Sequence, residues 1–370
     1  MPGEWEPHAA TWLAWPHNRA DWPGKFEPIP WVYAEIIRNL AKHERVELIV
    51  NDAAAARQAR RVLERGDALS ENIRFHLWPT NRVWLRDSGC IFLTRNSVGP
   101  GLRPGQAEQS SAVLALKFRF NAWAKYSNWR HDEKIGSLMA QVRTPTLFRT
   151  KREIRVGHPH SHPQEIRPLS RGTRIVLEGG SIDVNGAGTI LTTEECLLSK
   201  VQERNPHMAR VHYEKAFADY LGAPNTIWLG RGIVGDDTHG HVDDLSRFAS
   251  KHTVVTMVEP NSKDANHEPL RANLRRLQAA RDQDGRPFTI VEMPMPQPVV
   301  FEGRRLPASY ANFYIANGVV LAPVFNRPND RIALNTLAEL FPTREIVPIY
   351  SGDFIWGLGA MHCMTQQQPA

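Results

Sequence analysis

Cysteine is scarce in this chain, with only Cys90, Cys196 and Cys363 among 370 residues. So low a count excludes a disulfide framework and points to a reducing, cytoplasmic setting. Long apolar runs are missing too. None approaches the ~18 residues of a membrane span, mean hydropathy is −0.41, and no membrane role is expected. The opening MPGEWEPHAATW lacks a basic segment leading into an apolar one, so no secretory signal is expected. Long blocks of one charge are absent as well. Net charge is +6 and the pI is near 9.3, but basic and acidic residues are interspersed. The densest basic stretch, Arg143 to Arg171, carries Pro and His and reads as a loop. Basicity without clustering argues against a nucleic-acid partner.

What is present is globular: 42% of residues are apolar and 23% charged. Eleven tryptophans include Trp84, Trp123 and Trp356 beside polar neighbours, as expected of core and rim aromatics. Helical apolar spacing followed by a short β-branched run recurs. Residues 31–50 hold WVYAEIIRNL then RVELIV, and residues 213–230 hold YEKAFADYLG then TIWLG. The pattern returns in LRANLRRLQAARD with FTIVEMP (270–294) and in IALNTLAELF with EIVPIY (332–350).

Polar clusters follow these units: WLRDSG (84–89), LEGGSID (177–183), DDTHGHVDD (236–244), SYANFYIANG (309–318) and GLGAMHCMTQQ (357–367). Positions 87, 178, 241, 312 and 363 are spaced by 91, 63, 71 and 51 residues, against 74 for a fifth of the chain. A degenerate repeat of that size suits a closed ring of αβ modules better than a solenoid. Residues 96–111 and 144–172 have no apolar periodicity and read as surface loops. Strand signals on both sides of them belong to one pattern, so residues 1–370 read as a single domain.

Cys363 follows a glycine-bearing turn and a histidine and is a candidate nucleophile. Cys90 starts the apolar CIFL and Cys196 lies in EECLLS at a helix start; both fit small buried hydrophobes. In His239-Gly-His241-Val-Asp243-Asp244, strand alternation would put His239, His241 and Asp243 on one face. That set could be a general acid/base histidine with a carboxylate, or a metal site of the zinc-hydrolase kind. His158, His160 and His162 also alternate, but in a Pro-rich stretch with no carboxylate to orient them. Asp87 and Glu178 sit beside glycines at strand ends, where acids commonly form turns. Together, a thiol, a histidine and three carboxylates at corresponding places of a repeat would suit a planar cation. Two carboxylates can hold a guanidinium while a thiolate attacks its central carbon.

The chain resembles the agmatine deiminase family, related to bacterial peptidylarginine deiminases. The resemblance runs through EWEPHAATWLAWPHNRADWPG, WLRDSG, FNAWAKYSNW (120–129), LEGGSIDVNGAGTILTTEECLLS (177–199), GDDTHGHVDD, YANFYIANGVVLAPVF (310–325) and HCMTQQ. It implies an α/β fold, a five-bladed pseudosymmetric propeller of ββαβ modules with the active site on its axis. By motif position it implies Asp87, Glu178, His241, Asp243 and Cys363 as the catalytic set, with Trp84 and Asn312 lining the substrate site. Asp87 and Asp243 would bind the guanidinium, Cys363 attack it, His241 carry protons and Glu178 orient His241. The implied reaction is hydrolysis of agmatine to N-carbamoylputrescine and ammonia, a step of putrescine and polyamine metabolism, with neither metal nor organic cofactor.

Other readings stay open. Gly357-Leu-Gly359-Ala-Met361 departs from the glycine run of plant-type members, so free or peptidyl arginine is a rival substrate. A metal-dependent hydrolase on His239, His241 and Asp243 and a noncatalytic guanidine-binding module are rivals of other classes. Agmatine is favoured because a site for arginine needs a cation for its carboxylate. The nearest in sequence are Arg86 and Arg247, and Arg86 turns away from Trp84 if WLRD is a strand. A homo-oligomer is compatible with the residues.

Overall fold

A computed structural model describes residues 1–96, 111–142 and 163–370. Its α/β architecture repeats one unit: an antiparallel strand pair, a helix, and a third strand parallel to the second. In the second sheet Ile91–Asn96 pairs antiparallel with Ser111–Leu116, which pairs parallel with Gln164–Ile166 beyond the helix Asp132–Ala140. The third sheet joins Ile182–Val184, Thr189–Thr193 and Asn225–Leu229 in the same way. Ser246–Ser250, Thr253–Val258 and Thr289–Pro294 form the fourth, across the helix His267–Ala279. Tyr314–Ala316, Val319–Val324 and Glu345–Tyr350 form the fifth, across Asp330–Leu340. The first sheet uses both ends of the chain. Gln366–Pro369 lies antiparallel to His8–Ala14, which pairs parallel with Arg45–Val50, and Ile73–Leu77 adds a further parallel strand. Among the described residues no sheet closes on itself.

Local chemistry explains the units. Ile29–Leu40 starts with Pro30, whose missing N–H costs nothing in a first turn, and buries Ile29, Tyr33, Ile36, Ile37 and Leu40 on one stripe. Asp52 caps Ala53–Arg65 by accepting from the Ala55 N–H at 2.8 Å. Central strands such as Val319–Val324 are buried along almost their whole length, as expected of strands covered on both faces. Each Leu, Ile or Phe so buried contributes roughly 1.5–3 kcal/mol.

Before the first strand of each of these five sheets stands a short helical turn: Leu85–Ser88, Gly179–Ser181, Val242–Asp244, Tyr310–Asn312 and Met361–Met364. Each packs on the next, and the last packs on the first. These turns are the polar clusters of the repeat, so the five clusters meet at one place.

Parts of the expectation change. Most of 96–111 and 144–172, with His158, His160 and His162, lies outside the described residues. Within 163–172, however, Gln164–Ile166 is a strand that completes the ladder of the second sheet, and Leu169–Ser170 forms a short hairpin with Thr173–Arg174. WLRD is a helical turn, not a strand. Among the described residues no helix is long and apolar enough to cross a membrane.

Candidate active site

Asp87, Glu178, His241, Asp243 and Cys363 are brought together by the five turns, all buried. Gly180 measures how closely they converge. A Cβ there would lie 2.6 Å from His241 Nδ1, 3.0 Å from Asp243 Oδ2 and 3.1 Å from Asp87 Oδ1. The Gly180 N–H donates to Asp87 Oδ1 at 3.1 Å, and the Trp123 indole donates to Asp87 Oδ2 at 2.9 Å. Trp123 is aimed by three successive non-glycine residues with positive φ, Ala122, Trp123 and Ala124 (50°, 58° and 54°). Such strain persists only where its surroundings enforce it.

His241 sits among carboxylates without hydrogen-bonding any of them. Its Nδ1 is 4.0 Å from Asp87 Oδ1 and 3.9 Å from Asp243 Oδ1, and its Nε2 is 3.9 Å from Glu178 Oε2. Both ring nitrogens, Asp243 Oδ1 and Glu178 Oε2 are buried without a hydrogen-bond partner. Arg204 donates from Nε to Glu178 Oε1 at 3.1 Å and fixes that carboxylate. Cys363 Sγ is 3.6 Å from Asp243 Oδ2 and receives the Asn312 amide at 3.1 Å.

Electrostatics follow from burial against charge. Burial pushes Asp87 up to about 6; Asp243 and Glu178 add to that, while His241 and the Trp123 donor oppose it. Burial also acts on Glu178, but Arg204 and His241 outweigh it and hold Glu178 at about 2. Burial disfavours the His241 cation, yet Asp87, Cys196 and Glu178 around the ring raise it well above the ordinary histidine range. The Cys363 thiol is pushed well up by burial and then by Asp243, Asp244 and Asp87.

A cavity of about 180 Å³ opens onto Cys363 and Asp87 past Trp84, Trp123 and Trp356. Trp84 therefore lines it, and Gly359 lets it approach: a Cβ at 359 would stand 2.7 Å from the Trp84 ring and 3.1 Å from Cys363 Cβ. Asn312 lies behind the thiol. Its Nδ2 donates to Asp244 Oδ1 and Cys363 Sγ, and its Oδ1 accepts from the His362 and Cys363 N–H groups. Three of those contacts position the Cys363 turn, and the one to Asp244 anchors Asn312.

His239 departs from the expected face. Residues 236–244 form turns, with φ of 63° at His239 and 97° at Gly240, so side chains do not alternate. His239 Nε2 meets Ser199 Oγ at 3.0 Å beside a separate surface cleft, while His241 points inward. The metal set of His239, His241 and Asp243 is not assembled. Glu178, Cys196 and His241 do lie together, each offering a ligand atom within 4.8 Å of the others.

Several residues escaped sequence reasoning. Arg86 and Arg247 are buried away from the cavity, both bound to Glu4, but Arg82 and Arg304 line it, with Asp21 and Asp237. Their separation in sequence hid them. His362, beside Cys363, bridges Asp243 and Glu4. Trp123 lay in a conspicuous motif, which was the available signal.

The arrangement, a buried thiol facing carboxylates and a histidine at the end of a cavity, occurs on a fold shared with solved deiminases. The agmatine deiminase of Enterococcus faecalis superposes with a TM-score of 0.84 at 26% identity, covering 100% of this chain and 95% of that one. The agmatine deiminase of C. jejuni with substrate bound gives 0.79 at 26%, with the same coverages. In sequence, the agmatine deiminase of Pseudomonas aeruginosa is 31% identical over 393 aligned positions, covering 100% of this chain and 95% of its own. The chain belongs to the Porphyromonas-type peptidyl-arginine deiminase family, whose model matches residues 1–369.

Proposed function

We propose that the protein is an agmatine deiminase, hydrolysing agmatine to N-carbamoylputrescine and ammonia. One observation carries this: Asp87, Asp243, His241 and Glu178 converge beside Cys363 with buried polar atoms left unpaired. Unpaired buried acceptors cost energy, and a guanidinium supplies the donors and the charge they lack. Asp87 and Asp243 hold the cation in plane against the sulfur.

Its charge also activates the nucleophile. At ~4 Å and an effective dielectric near 20, a pair of unit charges is worth about 4 kcal/mol. The acids around Cys363 oppose its thiolate by such amounts, and a bound cation reverses the sign. The Cys363 S–H proton leaves to solvent as the cation binds, the thiolate attacks the guanidinium carbon, His241 protonates the departing ammonia, and a covalent thiouronium remains. His241 then takes a proton from the attacking water, the C–S bond breaks, and the carbamoyl product leaves with the thiol restored. Glu178, anchored by Arg204, keeps His241 charged and oriented.

The cyclic succession of five turns supports reading the five sheets as blades of one propeller and residues 1–370 as one domain. Three free, buried cysteines suit a cytoplasmic setting. A second substrate, free or peptidyl arginine, is favoured by Arg304, half exposed in the cavity wall. Ammonia release from agmatine, arginine and an arginine peptide tests the reading. Turnover of agmatine with formation of N-carbamoylputrescine is expected, and no release from any of the three would refute deimination.

A further inference from the structure

Beside His241 lies a second thiol. Cys196, His241 and Glu178 each offer a ligand atom within 4.8 Å of the others, His241 Nε2 facing Glu178 Oε2 at 3.9 Å, and all three residues are buried. The nitrogen and the carboxylate oxygen have no hydrogen-bond partner. Their orientation is fixed from outside. Arg204 takes the other Glu178 oxygen at 3.1 Å, and Thr193 accepts the Cys196 N–H at 3.1 Å while bonding the Gly240 carbonyl at 2.5 Å. Thus Cys196 is tied to the loop that carries His241.

We propose that Glu178, Cys196 and His241 form a binding site for a thiophilic divalent cation, Zn2+ or Cd2+, through which such ions inhibit the enzyme. The site stands on geometry; inhibition rests on the proposed role of His241. One thiolate, one imidazole and one carboxylate make a donor set that Zn2+ favours, with a fourth position left to water. Ligand bonds of about 2.0–2.3 Å require the three atoms to draw together by only about 1 Å. On binding, the Cys196 S–H proton and the His241 Nε2–H proton leave to solvent as the metal–sulfur and metal–nitrogen bonds form. A thiolate and a carboxylate then balance the ion's charge. The metal takes His241 Nε2, so the imidazole can no longer cycle a proton.

The test begins with the Cys363→Ala protein, which retains Cys196 but lacks the thiol facing the cavity. Titration with Cd2+ is expected to give cadmium–thiolate charge-transfer absorption in the ultraviolet, saturating at one ion per chain. In Cys363→Ala/Cys196→Ser, still containing Cys90, binding is expected to weaken by about 10–100-fold or more, since even outer-shell changes cost that much. Circular dichroism checks that both variants fold. No absorption in the first variant, or equal absorption in both, overturns the site.

With the otherwise native enzyme, Zn2+ is expected to stop ammonia release and EDTA to restore it. Cys196→Ser, compared with its own metal-free rate, is expected to need about tenfold more Zn2+ or beyond. Unchanged sensitivity would place the ion on Cys363 and overturn the proposal. Cd2+ bound at Cys196 with undiminished turnover would keep the site and refute His241 as the proton carrier instead.

Discussion

Asp243 and His362 meet at 2.7 Å between Oδ2 and Nδ1, and the opposite ring nitrogen lies 2.9 Å from Glu4 Oε2. Both contacts are hydrogen bonds only if both ring nitrogens carry protons. Glu4 also accepts from Arg86, Arg247 and the Ile315 N–H. A carboxylate near the start of the chain thereby holds the residue next to Cys363 and, through it, Asp243.

Glu4→Gln should therefore destabilise the fold and lower kcat without touching substrate. It leaves two buried guanidinium groups and His362 short of a counter-charge, which costs about 3–5 kcal/mol when a buried pair is broken. Burial alone would raise the Glu4 carboxyl, but Arg247, His362 and Arg86 hold it well below the ordinary range. Its stabilisation is thus present above the ordinary carboxylate pKa and lost as pH falls through the lowered value. Urea unfolding at neutral and acidic pH checks both: the difference between Glu4→Gln and native protein should shrink in acid.

Cys363→Ala removes the nucleophile and keeps every carboxylate. Turnover should fall by at least about a thousandfold, as losses of covalent nucleophiles do, while agmatine binding by calorimetry persists. Mass spectrometry of quenched native enzyme should place the adduct on the Cys363 peptide. A variant with near-native rates would end the covalent mechanism.

Gly180→Ala is a sharper geometric probe. Its Cβ would meet His241, Asp87 and Asp243 at 2.6–3.1 Å, so one methyl pushes apart the groups that must close on a cation. Activity should drop by about a hundredfold or more, because displacement of about 1 Å at a reacting centre has that effect. Thermal unfolding should confirm that the protein still folds. Native kcat/KM in this variant would mean the three groups do not act on one ligand.

How much of this could be read from sequence depended on range. The helix–strand pairs were legible because their periodicity is local, as in Ile29–Leu40 followed by Arg45–Val50. Asp87, Glu178, His241, Asp243 and Cys363 were legible because each sits in a polar turn ahead of a strand. His239 misled because alternation assumes a strand, and positive φ at His239 and Gly240 breaks it. Glu4 with His362 joins residues 358 positions apart, which no local pattern encodes. Cys196 looked like a helix's buried hydrophobe; its place beside His241 arises only when the third and fourth sheets are assembled.

Asp87 predicts an acid limb. It must be ionised to hold a guanidinium, and burial raises it to about 6 in the free protein. The kcat/KM profile, which reports free-enzyme groups, should fall below about that pH. In Trp123→Phe the donor to Oδ2 is lost, so the limb should move to higher pH. The same shift sets a stability term: folding favours protonated Asp87, a contribution full below its ordinary 3.8 and lost as pH rises through about 6. An acid limb indifferent to Trp123→Phe would assign it to another group.

The far end of the cavity decides between agmatine and arginine. Arg82 is already committed, paired with Asp21 and lying 4.2 Å over the Tyr126 ring. Arg304 is half exposed and stands 3.6 Å from Asp237, which also binds Lys125 and Tyr126. Asp21 Oδ2, by contrast, is buried with no hydrogen-bond partner. An ammonium at the end of agmatine satisfies it, whereas arginine adds a carboxylate among acids. An unsatisfied buried group costs about 1–3 kcal/mol, or roughly 5- to 150-fold in kcat/KM. Agmatine should therefore exceed arginine by a factor in that range, and Asp21→Asn should erode the margin mainly by raising the KM for agmatine. Equal or better turnover of arginine would make Arg304 the partner of its carboxylate. Arg304→Ala would then depress arginine hydrolysis and spare agmatine, and measuring both substrates on both variants separates the two cases.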